Sequence, residues 1–269
     1  MNFGYIRDKY KYFFIFFISC LFSFNSYSEI KEKPYIAIII DDLGYKPKED
    51  MLALSLPGPI TYAILPHSPY ANKISEIAFK NKKQILLHQP MQALTNNDLL
   101  GPGALTLSMT KKEFSKILKH NINSLPNIIG INNHMGSLLT RHPGHMKWLM
   151  DIISKYDYIY VDSLTGPNSV AGKIAKQNGV PFISRDIFLD NQKDKNHINK
   201  KIFELVNIAK KQGTALAICH PYNNTIEALS YFLKDINKHD VKLVGIKSLI
   251  KKRTRKNSLI TKNANLVFP

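Results

Sequence analysis

Several side chains able to bind a metal or move a proton stand directly after short apolar runs. They are Asp41 and Asp42, His88, His134, Asp162, Asp186 and His220. A mixed set of imidazoles and carboxylates suits Zn²⁺ or another divalent metal, with three protein ligands and an open position. Such an ion lowers the pKa of bound water and polarises a carbonyl. A remaining Asp then serves as general base and a remaining His as general acid. The Asp41-Asp42 pair is the most pointed of these features. Five apolar residues, Ile36 to Ile40, run straight into it, and Leu43-Gly44 follows. Two charges at the end of a buried strand are costly without a partner, so they belong at an open strand end.

Each residue also has a plainer reading. His67 and His142 are read as packed or solvent-facing. Asp186 is evenly balanced between a site role and a plainer one, a pair with Arg185 or the cap of a neighbouring turn. Cys219 adjoins His220, and adjacent strand residues face opposite ways, so a mouth-facing His220 turns Cys219 into the packing.

The elements that must position these groups alternate. Strands are predicted to end at Asp42, Leu65, Leu87, Ile131, Val161, Ile183 and Cys219, with a further one over Val241 to Gly245. Helical patterns fill the intervals, one opened by Thr110 and Glu113 as a capping box and one closed by Gly213. A βαβα pattern implies a parallel sheet with helices outside. An open doubly wound sheet would spread the polar strand ends along a line. A (β/α) barrel gathers them at one mouth, and a distorted barrel of about seven parallel strands is the expected fold. No glycine-rich dinucleotide fingerprint opens a helix.

The 269 residues carry a formal net charge of +17 with 44% hydrophobic content. The charge points to an acidic partner: an anionic envelope polymer, a membrane surface or nucleic acid. Arg7, Lys9 and Lys11 precede an apolar run from Tyr12 to Phe24, and Ser26 and Ser28 are small residues before Glu29. This reads as a secretory signal peptide over 1–28, cleaved after Ser28; the alternative is a retained anchor, for which the run is short. The expected location is periplasmic or secreted, without stable membrane insertion once the leader is removed. Loss of Cys20 with the leader leaves Cys219 alone and no internal disulfide. The barrel domain is expected over 29–250. Residues 251–269, opening Lys-Lys-Arg-Thr-Arg-Lys, read as a solvated basic tail or an anionic-surface contact. Basic residues elsewhere are dispersed, so nucleic acid is not the expected partner of a secreted chain.

Several stretches resemble the divergent polysaccharide deacetylase family: Ile38 to Gly44, Leu87 to Met91, Gly130 to Ser137, Val161 to Ser163, Arg185 to Asn191 and Ala217 to Pro221. The Asn-Asn-His-Met-Gly-Ser run from Asn132 is the most specific. The resemblance spans roughly Pro34 to Ile250. It implies a distorted, deacetylase-like (β/α) barrel that removes N-acetyl groups with a metal ion. By that likeness Asp41 is the base, Asp42 and His88 are metal ligands, and His220 is the acid. The better-known deacetylases carry a second His four residues after the first, and Gln92 stands there; His134 is assigned as third ligand instead. Asp162 is assigned to orient His220 or a ligand. Asn132, Asn133, Ser163, Arg185 and Asp186 are assigned to substrate binding. The expected partner is an anionic or N-acetylated envelope glycan such as peptidoglycan, with cell-wall remodelling proteins as further candidates. Two other functions compete: a non-catalytic glycan-binding or regulatory protein, and a glycoside hydrolase using two carboxylates.

Overall fold

A computed structural model describes residues 32–267, with side chains through Lys256. The expected signal peptide lies outside the described residues. The first strand, β1 (Tyr35–Leu43), is followed by α1 (Pro47–Leu54), β2 (Thr61–Ile64), α2 (Ala71–Lys80) and β3 (Gln84–Met91). Next come α3 (Lys111–Asn123), β4 (Gly130–Met135), α4 (Pro143–Ile153), β5 (Ile159–Asp162) and α5 (Ala171–Gln177). The chain closes with β6 (Phe182–Ser184), β7 (Ile187–Phe188), α6 (Lys195–Gln212), β8 (Thr214–Cys219), α7 (Asn223–Lys234), β9 (Lys242–Leu243) and α8 (Ile246–Val267). The Thr110–Glu113 capping box opens α3, and Gly213, in the left-handed region, closes α6.

The sheet is parallel, in the order β6-β5-β4-β3-β2-β1-β8-β7, with β9 beside β1. It forms a distorted barrel, open along one seam between β6 and β7. Strand six was expected to end in Ser184-Arg185-Asp186; instead the chain crosses the seam there. Arg185 N–H bonds Asp162 O at 3.0 Å on the β5 side, and Asp186 N–H bonds Leu216 O at 2.9 Å on the β8 side. A two-residue strand such as β7 is too short to show a periodicity.

Alternation along the strands sorts the apolar residues into two cores. Ile39, Leu86, Val161 and Ile218 face the barrel interior, whereas Ile40, Leu87, Tyr160 and Cys219 pack under the helices. Cys219 thus points away from the mouth, as expected from its place beside His220. The interior core is completed from α8, whose Ile246, Leu249 and Ile250 join it. Residues 251–256 were expected to begin a tail; they continue this helix without a break. From α8, Arg253 reaches the seam, bonding Asp186 Oδ2 at 2.5 Å and Thr214 Oγ1 at 3.0 Å.

Candidate metal and proton-transfer site

Strand alternation places Asp41 on the interior side of β1, in phase with Ile39. Asp42 would then face the helices. It does not, because its backbone is left-handed (φ +63°) and the β1–β2 register shifts between Ile40 and Leu43. Asp is among the few non-glycine residues that tolerate this conformation. Both carboxylates therefore reach the mouth. The turn that follows is pinned. Gly44 has φ +116°, and a Cβ there would stand 1.9 Å from Ser68 Oγ. Its N–H donates to Asp50 Oδ2 at 2.9 Å, and its carbonyl accepts from Tyr70 N–H at 3.0 Å.

Asp50 is fully buried, and burial pushes its carboxyl up to about 6 despite the N–H groups of Gly44 and Lys46. The folded state then binds this proton more tightly than the unfolded chain does. Stability from this group is complete below the unfolded value near 4 and is lost as pH rises through about 6. The unfolding free energy from urea titrations is expected to fall across that window by about 2–3 kcal/mol, and Asp50→Asn should flatten the fall.

Above the turn, β3 supplies His88 and β4 supplies Asn132 and His134, all on the interior side. His88 Nε2 lies 3.1 Å from Asp42 Oδ1, His134 Nδ1 lies 3.0 Å from the same oxygen, and the two ring nitrogens are 3.2 Å apart. Asn132 sets the chemistry of this triangle. Its Nδ2 donates to Asp41 Oδ1 at 2.8 Å, which turns its Oδ1 toward His88 Nδ1 at 2.9 Å. Only an N–H on Nδ1 can make that contact, so in neutral His88 the Nε2 lone pair faces Asp42 and His134.

The triangle fits a divalent cation. Ligands about 2.0–2.1 Å from a tetrahedral ion stand roughly 3.3 Å from one another, close to the separations found here. Asp42 Oδ1 is buried and accepts no hydrogen bond; the neighbouring ring nitrogens are near it but obliquely placed. An acceptor oxygen and a ring lone pair crowded this closely repel unless a cation lies among them. Asp42, His88 and His134 together form a group able to hold a metal ion.

The electrostatics agree. Burial opposes the charge on Asp42, yet His134 and His88 hold its carboxyl well below the usual range. For His88, burial disfavours the imidazolium, but Asp41 and Asp42 outweigh that and raise it. For Asp41, burial dominates and raises the carboxyl, partly offset by His88 and His220.

His220 follows β8 on the interior side, its Nε2 3.7 Å from Asp42 Oδ2. Its partner is Asp190, not Asp162. Asp190 Oδ1 accepts from His220 Nδ1 at 3.0 Å, while Oδ2 accepts from His220 N–H at 2.7 Å and Thr225 Oγ1 at 3.0 Å. Burial works against the imidazolium, but Asp190 and Asp42 raise His220 to about 9. Asp162 faces the helices because Val161 faces the interior; it accepts from Leu164 N–H at 3.0 Å and Ser169 Oγ at 2.7 Å. Asp190→Asn is expected to loosen the His220 ring and lower its titration from about 9, which an NMR pH titration of the imidazole checks.

Other assigned substrate contacts also have different partners. Asp186 accepts from Arg253 and from Leu216 N–H, at the seam. Arg185 donates to the carbonyls of Ser163 at 2.8 Å and Leu164 at 3.0 Å, and its guanidinium lies 3.8 Å from the Phe188 ring centre. It braces a loop rather than opening into the cleft. Asn132 is fully buried between Asp41 and His88. Asn133 lines the cleft, but its Oδ1 accepts from Ser163 N–H and its Nδ2 donates to Met135 O. Ser163 lines the cleft and receives Asn132 Nδ2 at 3.3 Å. Gln92 points out of the site and accepts from Leu107 N–H at 2.7 Å, so the second imidazole of the cluster comes from the neighbouring strand.

The cleft has a volume of about 280 Å³. Asp41, Asp42, His88, His134 and His220 form its chemical floor, and Thr95, Asn96, Ser137, Thr165 and Phe188 complete its walls. No Lys or Arg among the described residues lines it. The carboxylates do not offer the free pair a glycoside hydrolase needs: Asp42 is held by imidazoles, and Asp162, Asp186 and Asp190 are committed elsewhere.

The model of one protein family, the divergent polysaccharide deacetylases, matches residues 38–250. A protein of Haemophilus influenzae described as uncharacterised is 36% identical over 236 residues, covering 88% of this chain and 82% of that one. The uncharacterised protein YibQ of Escherichia coli is 32% identical over 229 residues, covering 85% of this chain and 71% of that one. Among solved structures, an uncharacterised protein of Agrobacterium tumefaciens superposes with a TM-score of 0.78 at 22% identity, covering 81% of this chain and 89% of that one. A CE4 family pseudoenzyme of Bacillus anthracis superposes with a TM-score of 0.51 at 11% identity, covering 81% of this chain and 66% of that one. At these identities both superpositions speak for the fold alone. No helix among the described residues is long and apolar enough to cross a membrane.

Proposed function

This chain belongs to the divergent polysaccharide deacetylase family, and from that premise we propose that it is a metal-dependent hydrolase removing N-acetyl groups from an envelope polysaccharide. The observation that carries the reading is the convergence of Asp42, His88 and His134 on one point, with Asp41 and His220 lining the same cleft.

Asp42, His88 and His134 would hold the ion. A divalent cation there supplies Lewis acidity, which lowers the pKa of water and polarises the amide carbonyl. Asp41, fixed by Asn132, takes a proton from the attacking water. His220, steadied by Asp190, gives a proton to the leaving amine. The products are acetate and a free amino sugar.

The cleft walls favour a sugar as the reacting unit. Hydroxyl and amide side chains suit the hydroxyls of a sugar ring, and Phe188 offers a face for it to stack on. The lining hydroxyls, amides and the Phe188 ring recognise a sugar by hydrogen bonding and stacking, and an N-acetylated unit is the proposed substrate. A periplasmic or secreted location would place the enzyme beside such polymers.

Incubation with N-acetylated oligosaccharides and with peptidoglycan, measuring acetate and new free amines, tests the reading. Acetate release that stops with a chelator and returns with Zn²⁺ supports it. Glycan binding with no acetate from any of them, in protein with its metal bound, would replace it with a non-catalytic binding role.

A further inference from the structure

A run of positive charge lies away from the cleft and takes no part in the proposed chemistry. From Val241 to Pro269 the sequence holds eight Lys or Arg and no Asp or Glu. Helix α8 organises the described part. Its cations divide by direction. Arg253 turns inward to Asp186, and Lys252 lies 5.3 Å from the centre of the Tyr35 ring. Lys247, Lys251 and Arg255, spaced by one helical turn each, are exposed along one face, and Lys256 is exposed beside Gln212.

These three cations border a groove of about 410 Å³ with an apolar floor of Ile159, Pro181 and Ile250. Asp157 is the one acidic residue among its described lining. The groove has a definite place in the fold. Ile159 opens β5 and Pro181 precedes β6, so the groove sits at the N-terminal strand ends, opposite the mouth. The chain also enters β1 at this end. Tyr35, where β1 begins, lies next to Lys242 and Lys252.

We infer that this face docks on an anionic lipid surface, with the cleft directed away from the bilayer. A row of cations beside an apolar floor matches lipid phosphates above an acyl boundary. A soluble polyanion would use the cations and leave the floor unused. The cations alone would give salt-reversible attachment. The orientation leaves the mouth free to meet a polymer outside the membrane. Nothing in this inference depends on the catalytic reading, and the test below has no activity readout.

Lysine-modification footprinting of the full chain tests it, on vesicles containing phosphatidylglycerol and on vesicles of phosphatidylcholine alone. Lys247 and Lys251 should be protected only on the anionic vesicles. Lys111 and Lys112, exposed at the mouth-side start of α3, should stay reactive on both. Each cation near an anionic surface contributes about a fivefold factor in binding, so Lys247→Glu with Lys251→Glu should weaken attachment by at least about 25-fold. Salt at about 0.5 M should remove the protection. The double variant lies on the surface, and its melting temperature checks that it folds. Equal reactivity of Lys247 and Lys251 on both vesicle types, or unchanged attachment of the folded double variant, would overturn the inference.

Discussion

His134→Ala is expected to abolish stoichiometric metal binding and, with it, acetate release. His134 Nδ1 stands 3.0 Å from Asp42 Oδ1 and 3.2 Å from His88 Nε2, closing a triangle whose other corners are already fixed. Asn132 fixes His88, and the left-handed turn at residue 42 fixes Asp42. Removing one corner leaves two ligands, too few for a stable structural or catalytic site. Loss of a partner that merely orients a ligand already costs about 10–100-fold in affinity, so loss of a ligand should cost at least about 10²-fold. Gln92 cannot compensate, because its carboxamide is spent on Leu107 N–H. Elemental analysis of wild type and variant checks the metal, and acetate assays check turnover. Metal content equal to that of wild type would remove His134 from the ligand set.

Asp41→Asn is expected to leave the metal in place and lower kcat about 10²- to 10⁴-fold, the usual contribution of a general base. The carboxylate does not belong to the triangle: its Oδ2 is 3.7 Å from His88 Nε2, and its Oδ1 is occupied by Asn132 Nδ2. An asparagine fits the same space but cannot accept a proton. It can still meet Asn132 through its own oxygen, so the fold should tolerate it. Metal content, KM and kcat measured together separate this outcome from that of His134→Ala. A variant with full kcat would show that Asp41 holds structure rather than moving protons.

Much of this is legible in the sequence. The apolar runs ending in Asp, His or Asn gave away a barrel mouth, because a buried parallel strand can carry polar residues only at its open end. Residue type put Asp42, His88 and His134 among seven candidates; the family resemblance singled out Asp42 and His88, and the Gln at position 92 turned the choice of third ligand to His134. The same two-residue alternation that turned Cys219 into the packing also turns Asp162 there, since Val161 faces the interior. Applied along β7, it would have put Phe188 at the mouth and Asp190, two residues beyond, on the same side, where it meets His220. What sequence could not show is the left-handed backbone at Asp42, which overrides alternation and brings two adjacent carboxylates to one side. Nor could it show the seam: Arg185 and Asp186 look like a strand end until their N–H groups are seen to bond opposite edges of the sheet. Once that crossing is known, both residues lose their place in the cleft, Arg185 to loop carbonyls and Asp186 to Arg253. The basic stretch from Lys251 read as a tail because its charges hide the interior-facing Ile246, Leu249 and Ile250 that anchor the helix just before it.

The most direct measurement is acetate release from an N-acetylated oligosaccharide while Zn²⁺ is titrated into metal-free protein. Activity should rise in proportion to occupancy and level off at one ion per chain, with His134→Ala silent throughout. Acetate released at full rate without metal, or a filled site with no acetate from any N-acetylated glycan, would contradict a metal-dependent deacetylase built on Asp42, His88 and His134.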